Sequence, residues 1–175
     1  MCLIKINQSI EKHTNLLLFV DGGCEPKNPG GVATSGWALF DPKNLKTSLV
    51  EQSAVAQDGG PLATNNYGEY NALLLALSWL AENKWSGELT IKADSKLLVE
   101  QISGRWKVKA EHLKPIRDQI LSLMDQLNLE QINESSPLPD SQRNACQLIW
   151  ISRDLNEYAN QLCRDAYQRH KNNRP

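Results

Sequence analysis

The sequence predicts a single α/β domain, in which a mixed sheet has helices packed on it. Two observations predict this class. Short apolar segments that end in Gly and Pro turns come first, and apolar residues spaced three and four apart follow them. The resulting element order is βββαβααβα. A chain of 175 residues without an internal repeat fits one domain, residues 1–175.

Five segments have the composition of strands. The first is apolar and ends at Asp21-Gly22-Gly23, and the next two end in turns that contain Pro42 and Pro61. Three successive strands joined by short turns favour an antiparallel meander. The predicted strands span residues 16–20, 36–40, 49–56, 89–93 and 146–151.

Four segments are predicted to be helices. In the first, Tyr70, Leu73 and Leu77 recur at helical spacing. The last begins with Asp154 as its predicted N-cap and Glu157 as the capping-box partner. The predicted helices span residues 65–83, 95–102, 113–127 and 154–170. Residues 1–14 are interpreted as an N-terminal extension, and residues 128–146 as an irregular acidic connection.

The composition is that of an ordinary globular domain. Lys and Arg total 19 against 20 for Asp and Glu, and 41% of the residues are hydrophobic, which excludes disordered, collagen-like and coiled-coil chains. The four cysteines form no CxxC pair, which argues against a zinc site or a disulfide framework. No secretion signal and no membrane-spanning run is present, so we expect a cytoplasmic protein.

The charge is unevenly distributed along the chain. Residues 84–117 carry eight basic and four acidic side chains, a local balance of +4, whereas residues 118–142 carry five acidic side chains and no Lys or Arg. The basic stretch indicates a surface that faces an anion such as nucleic acid. The alternative is two solvated faces of opposite sign.

Three carboxylates lie at the ends of predicted elements. Asp21 and Asp94 directly follow strands, and Glu69 lies in the first turn of the long helix. If these two strands are neighbours, all three side chains lie in one cleft, where mutual repulsion raises their pKa values unless cations neutralise them. Carboxylate oxygens suit Mg²⁺ or Mn²⁺, and two such ions about 3.5 to 4 Å apart are the arrangement that cleaves phosphodiesters.

Each carboxylate also has a structural alternative. Asp21 is then a turn residue before a glycine, and Asp94 is the N-cap of the helix that starts near Ser95. Glu69 is then the capping-box partner of Asn66. Such residues are routine at the ends of elements, so only their combination favours a metal site.

Four sequence blocks resemble those of the ribonuclease HI family of bacteria and archaea. They are FVDGG at 19–23 with NPG at 28–30, TNNYGEYNAL at 64–73, ADS at 93–95 running through GRWKVK at 104–109 to LKP at 113–115, and WI at 150–151 with NEYAN at 156–160. The resemblance extends from about residue 16 to residue 167. It implies the RNase H-like fold, with a five-stranded sheet of three antiparallel and then two parallel strands, and helices on both faces.

The resemblance also implies an activity. The expected enzyme is a ribonuclease H, an endonuclease that hydrolyses the RNA strand of RNA/DNA hybrids to 5′-phosphate and 3′-hydroxyl ends by a two-metal mechanism. Asp21, Glu69 and Asp94 are then the catalytic residues and hold two Mg²⁺ ions, or Mn²⁺ in their place. A monomer with no obligate protein partner and no membrane association is expected.

Further positions match substrate-binding residues of the family. Asn28, Asn65 and Asn66 match the residues that read the minor groove of the hybrid, and Thr64 matches a contact to a DNA phosphate. Trp106 is expected to pack on the sugars of the DNA strand, while cations such as Lys107 meet phosphates. The alternatives are that Asn28 holds a turn, Asn66 caps a helix and Trp106 covers the edge of the sheet.

The sequence departs from the family pattern in its last block. The position of the fourth carboxylate is Asn160, which can offer a metal its carbonyl oxygen but no charge, so a weaker metal site is expected. The loop 152–155 lacks the histidine that many members place there, and Arg153 either approaches the scissile phosphate or lies in solvent beside Asp154. The longer basic protrusion of some relatives is also absent.

These departures keep other functions open. A nucleic-acid-binding module that retains the fold but has weak or lost catalysis, owing to Asn160, is the second hypothesis. A nuclease that acts on double-stranded RNA, or another member of the wider fold superfamily, is the third.

Overall fold

The computed structural model describes residues 2–132 and 143–173. These residues form seven strands in one mixed sheet: β1 (Cys2–Ile6), β2 (Asn15–Glu25), β3 (Gly30–Phe40), β4 (Val50–Gly60), β5 (Glu88–Ala93), β6 (Leu129–Gln131) and β7 (Asn144–Trp150). They also form four helices: α1 (Asn65–Glu82), α2 (Lys96–Ile102), α3 (Lys114–Gln126) and α4 (Glu157–Asn172). Two 3₁₀ turns span Glu111–Leu113 and Arg153–Leu155.

The strand order across the sheet is β1-β4-β3-β2-β5-β7-β6. The side of the sheet from β1 to β2 is antiparallel, and the side from β2 to β6 is parallel. Strand β2 is therefore the central strand, antiparallel to β3 and parallel to β5. The expected antiparallel meander and the neighbouring position of the first and fourth predicted strands are both confirmed.

The prediction of five strands was wrong, because two further strands flank the predicted ones. Strand β1 lies in the supposed extension 1–14 and pairs with β4, with Ile4 opposite Gln52. All five of its residues are exposed, so it carries no burial pattern. Strand β6 is only three residues long and lies in the supposed irregular connection 128–146. The connection also ends earlier than predicted, because β7 begins at Asn144. Residues 133–142 lie outside the described residues.

Side-chain alternation along β2 divides the core between the two faces of the sheet. Leu16, Leu18 and Val20 join the large cluster that α1 covers. Leu17 and Phe19 join a smaller cluster on the opposite face, which Leu162 of α4 covers. Helices on both faces are thereby confirmed. Within the described ranges, no helix is long and apolar enough to cross a membrane.

The beginning of α4 differs from the predicted capping box. Asp154 lies in the preceding 3₁₀ turn, and the residue at the N-cap is Asn156, whose side chain forms no hydrogen bond that caps the helix. The Asn156 amide is instead bonded to Val20 and Asp94 on the sheet. A tertiary contact has therefore replaced the local cap that the sequence suggested.

Candidate active site

Asp21 and Asp94 lie side by side at one edge of the sheet. The register pairs Val20 of β2 with Ala93 of the parallel β5, so the residue that follows each of them comes to the same level. Asp21 is 4% exposed, which makes it one of the few buried charged residues. Because the carboxyl ends of neighbouring parallel strands meet at one edge, the topology brings these carboxylates together.

Glu69 joins this pair because the first turn of α1 packs directly on the sheet. A Cβ placed on Gly22 of β2 would lie 2.1 Å from the Glu69 backbone nitrogen, and one placed on Gly68 would lie 2.2 Å from the Thr34 carbonyl oxygen. The two glycines, Gly22 on β2 and Gly68 on α1, thus permit a close approach of the helix to the sheet that larger side chains would prevent. The glycine after Asp21 in the first sequence block has a physical role in building the site.

The structural alternatives for the three carboxylates do not hold. The N-cap of α1 is Thr64, whose hydroxyl accepts the Tyr67 N–H at 3.1 Å, so Glu69 is not the capping partner of Asn66. The N-cap of α2 is Ser95, which accepts the Leu98 N–H at 3.2 Å. Asp21 lies within β2 and not in a turn. None of the three acidic side chains has the local role that its sequence position suggested.

Helix α4 and the turn before it complete the site from the other face of the sheet. Asn160 is 5% exposed, and its side-chain amide lowers the pKa of the Asp21 carboxylate. The Arg153 guanidinium is close enough to lower the pKa values of both Asp21 and Glu69. The structure therefore brings Asn160 to the predicted carboxylates. Arg153 is solvent-exposed, as in one of the two alternatives, and it lines the same cavity as Asp21.

The electrostatics of the site are those of neighbouring acids, of which Asp21 is buried and Glu69 and Asp94 are partly buried. Burial, followed by the charge of Asp94, raises the pKa of Asp21 from 3.8 to about 7, against hydrogen bonds from Gly22 and Asn160. Burial also raises the pKa of Glu69 from 4.5 to about 7, with further contributions from Asp21 and Asp94 and an opposing hydrogen bond from Ser95. Acids perturbed by burial and by a specific charge partner mark functional sites.

The donor set fits a hard divalent cation in its chemistry. All the candidate ligands offer oxygen, and the Glu69 Oε2 atom is buried without a hydrogen-bond partner in the structure as described. Within residues 2–132 and 143–173, no three His, Cys, Asp or Glu side chains are grouped closely enough to hold one ion. The carboxylates would have to turn toward one another to share an ion.

A cavity of about 410 Å³ opens beside Asp21. Asn65 and Asn160 lie in its wall, and Arg153, Arg164 and Tyr167 line the side formed by α4 and its preceding turn. Arg164 and Tyr167 are not among the residues predicted from the sequence. They follow Asn160 by four and seven residues, which places all three on the same face of the helix. This spacing is the sequence feature from which they could have been predicted.

The asparagines predicted to bind substrate gather at the start of α1. The Asn28 Oδ1 atom accepts the Asn65 N–H at 3.4 Å, which links the loop between β2 and β3 to the start of α1. The Asn65 Oδ1 atom is buried without a partner among the described groups. The suggestion that Asn66 caps α1 is wrong, because Thr64 occupies the N-cap.

Trp106 and Lys107 line a second groove, of about 600 Å³, which also reaches Asn66. The Trp106 side chain is 47% exposed, and the Lys96 Nζ atom lies 6.0 Å from its ring centroid. No residue of the described strands lines this groove. The Trp106 ring is therefore available to solvent, and the alternative in which it covers the edge of the sheet finds no support.

The three histidines lie apart from the carboxylates. His13 pairs with Asp41 at 3.6 Å, and His112 stacks on Tyr67 with ring centroids 6.4 Å apart. His170 pairs with Asp58 at 3.0 Å. The sequence assigned none of them a catalytic role, and the structure gives each of them a partner elsewhere.

The reverse transcriptase-like family model matches residues 19–134, which include all three carboxylates. The chain belongs to this family. Its structural neighbours include ribonucleases H, so the prediction of a ribonuclease H family member with the RNase H-like fold is confirmed.

Relatives of this ribonuclease H-like chain include the bifunctional protein Rv2228c of Mycobacterium tuberculosis, which is 36% identical over 104 residues. That match covers 59% of this chain and 24% of the relative, so the chain spans about a quarter of the length of the curated relatives it matches. The solved N-terminal RNase H domain of Rv2228c has a TM-score of 0.68 and 28% identity, and the match covers 89% of this chain and 95% of that one.

A second solved relative comes from a compost metagenome. LC11-RNase H1, crystallised in complex with an RNA/DNA hybrid, has a TM-score of 0.68 and 27% identity to this chain. The match covers 89% of this chain and 98% of LC11-RNase H1. The ribonuclease H fold of the present chain therefore extends over nearly its whole length.

Proposed function

We propose that the protein is a metal-dependent endoribonuclease that hydrolyses the RNA strand of RNA/DNA hybrids. The observation that carries this proposal is the meeting of Asp21, Glu69 and Asp94 at one edge of the sheet, with the pKa values of Asp21 and Glu69 raised to about 7. A module that only bound nucleic acid would gain nothing from crowded acids that face phosphate. The family supports the same activity.

Asp21, Glu69 and Asp94 would hold two Mg²⁺ or Mn²⁺ ions, with Asn160 as a neutral fourth ligand. Bound there, the ions would lower the pKa of water and stabilise the leaving oxygen, giving 5′-phosphate and 3′-hydroxyl ends. The Asn160 amide lowers the pKa of Asp21 by hydrogen bonding and adds no negative charge. Asn160 thus favours the ionised form of Asp21, which a metal ion needs. The site nevertheless has one charged ligand fewer than the family pattern.

Arg153 is proposed to bind the scissile phosphate. It lines the cavity beside Asp21, and its positive charge lowers the pKa values of Asp21 and Glu69. An arginine there contributes a permanent positive charge, so it can attract a phosphate but cannot accept a proton. Its role is binding and orientation of the substrate.

Substrate recognition is assigned to the two grooves that meet at the start of α1. Asn28, Asn65 and Asn66 would read the RNA minor groove and its 2′-hydroxyls, with Thr64 contacting a phosphate. Trp106 and Lys107 would hold the DNA strand through its sugars and phosphates. The complex of LC11-RNase H1 with a hybrid supports a substrate of this class.

The test is a cleavage assay on a hybrid labelled in the RNA strand, with Mg²⁺, Mn²⁺ or EDTA. We expect cutting that requires the metal and that falls by at least about 100-fold in Asp21→Asn. Asp118→Asn, which removes a carboxylate whose side chain is 62% exposed on α3, is the matched control and should cut normally.

Other substrates and variants distinguish the competing functions. Retained binding of the hybrid without cutting, in the parent chain and in Asn160→Asp alike, would establish the binding module in place of the nuclease. Equal cutting of double-stranded RNA would replace hybrid specificity with the broader activity. Analysis of the product termini checks the expected 5′-phosphate and 3′-hydroxyl ends.

A further inference from the structure

The outer edge of β1 has no strand beside it among the described residues, where β4 is its sole neighbour. Leu3, Ile4 and Ile6 are 50%, 41% and 61% exposed. Exposed edge strands are templates for pairing with other strands, and proteins oppose such pairing with several charges, prolines or bulges along the edge. Strand β1 contains one charged residue, Lys5, and no proline.

Backbone hydrogen bonds show which residues face outward. The Asn7 N–H, just beyond β1, donates to the Leu49 carbonyl at 2.8 Å. Because successive residues of an antiparallel strand alternate in direction, Lys5 and Leu3 also direct their backbone groups toward β4. The N–H and C=O groups of Cys2, Ile4 and Ile6 therefore point away from the sheet.

We propose that β1 pairs with β1 of a second copy of this chain, antiparallel about a two-fold axis at Ile4. Ile4 then lies opposite the second copy's Ile4, Cys2 lies opposite Ile6, and Leu3 lies opposite Lys5. The three outward-facing residues of each strand form about six backbone hydrogen bonds across the axis. The product is a continuous sheet shared by two protomers, with an isologous interface.

The side chains favour a second copy as the occupant, because the strand is complementary to itself. In this register the one ammonium group faces Leu3 and not another Lys5, and its Nζ atom lies 3.5 Å from Glu51 of its own chain. An axis at Lys5 would place two ammonium groups opposite each other, which is destabilising. The other residues that face each other across the axis, Ile4 with Ile4 and Cys2 with Ile6, carry no charge. The interface therefore requires no charged side chain on the second strand.

The position of β1 keeps this interface apart from the candidate active site. Strands β4 and β3 separate β1 from β2, which carries Asp21. Strand β1 also lies outside the residues 19–134 matched by the family model. The dimer therefore adds a second site to the particle without obstructing either one. The expectation of a monomer is revised by this proposal, which does not depend on the proposed function.

Analytical ultracentrifugation of the full chain, from about 1 to 200 µM, tests the proposal. A short strand pair buries less than the roughly 1,200 Å² of a standard interface, so we expect a reversible dimer with a dissociation constant in the micromolar range. Ile4→Lys should weaken association at least about 10-fold, because two ammonium groups meet at the axis. Leu121→Lys, at a position 38% exposed on α3, is the matched control.

Oxidative crosslinking tests the register. In a Cys2→Ser background, Ile4→Cys should form a disulfide dimer, since a hydrogen-bonded pair holds its Cα atoms about 5.5 Å apart. Leu3→Cys faces Lys5 and should crosslink far more slowly. A parent chain that stays monomeric throughout, an Ile4→Lys variant that still dimerises, or equal crosslinking at positions 3 and 4 would overturn the proposal. Hybrid cleavage per chain should be unchanged in Ile4→Lys, so this result is independent of the nuclease test.

Discussion

Asn156 donates its side-chain amide both to the Asp94 carboxylate at 2.8 Å and to the Val20 carbonyl at 2.9 Å. The residue is fully buried, and it joins the start of α4 to two neighbouring strands. Its side chain therefore positions a carboxylate without belonging to the set of proposed metal ligands. Removal of the amide leaves the Val20 carbonyl without this donor.

The first prediction concerns this contact. Asn156→Leu should lower the free energy of unfolding by about 1 to 3 kcal/mol, the cost of an unsatisfied buried acceptor. Asn156→Asp should be at least as harmful, since it places a second carboxylate against Asp94. Urea denaturation measures the effect, with the exposed Asn172→Leu as control. A stability equal to that of the parent would show that the contact is dispensable.

Asn160→Asp is predicted to increase affinity for Mg²⁺. The change supplies a charged oxygen ligand and removes the hydrogen bond that lowers the pKa of Asp21, so without metal the pKa of Asp21 should rise further. Isothermal titration with MgCl₂ measures the affinity. Gln161→Glu, exposed on the next position of α4, adds the same charge away from the site and should leave the titration unchanged. An unaltered titration in Asn160→Asp would show that this position does not contact the ion.

The raised pKa values predict how stability depends on pH in EDTA. Asp21 titrates at about 7 in the folded chain against 3.8 as a model carboxyl, so the native state binds more protons between these values. The stability that this difference contributes is fully present below about pH 4 and is lost as the pH rises to about 7. Asp21→Asn avoids the loss, so it should stabilise the protein by about 2 to 4 kcal/mol at pH 8 and hardly at all at pH 4.

Thermal unfolding at both pH values, with Asp118→Asn as the control, checks this prediction. A stabilisation of the same size at pH 4 and pH 8 would mean that titration of Asp21 is not its cause. Added Mg²⁺ should favour the parent chain over Asp21→Asn, because binding of the ion to the native state alone stabilises it.

Gly68→Ala is predicted to disrupt the site by separating α1 from the sheet. The added Cβ would lie 2.2 Å from the Thr34 carbonyl oxygen, a backbone atom that cannot simply rotate away. We expect a loss of at least about 1 to 3 kcal/mol, as for an overpacked core. Gly104→Ala is a useful comparison, because its Cβ meets nothing within 4 Å and only the positive φ of 73° opposes it. Equal losses in the two variants would contradict the steric argument.

The last prediction separates substrate binding from stability. Trp106→Ala and the pair Lys107→Gln with Lys109→Gln should weaken hybrid binding, while thermal stability changes little because Trp106 is half exposed. If each lysine meets a phosphate, the slope of log affinity against log salt should fall by about 0.9 per lysine. Lys43→Gln with Lys46→Gln, exposed on the loop after β3, is the matched control. An unchanged salt slope would place Lys107 and Lys109 away from the substrate.

Local patterns sufficed for the five predicted strands and four helices, because periodicity and turn residues are properties of contiguous sequence. They failed for β1, whose exposed residues carry no burial signal, and for β6, which is three residues long. They also failed at the starts of α1 and α2, where the N-caps are Thr64 and Ser95. Glu69 and Asp94 therefore have no capping role and are available to the proposed site.

The sequence by itself determined the family and the central fold and predicted the three acidic residues of the proposed site, since these depend on short blocks in a fixed order. Only the tertiary structure decided which groups act on those acids. Asn156 and Val20 are 136 positions apart in the chain, and the charge of Arg153 reaches Asp21 and Glu69 only after folding. The pKa values depend on burial and on neighbours from separate elements, and no spacing along the chain encodes those distances.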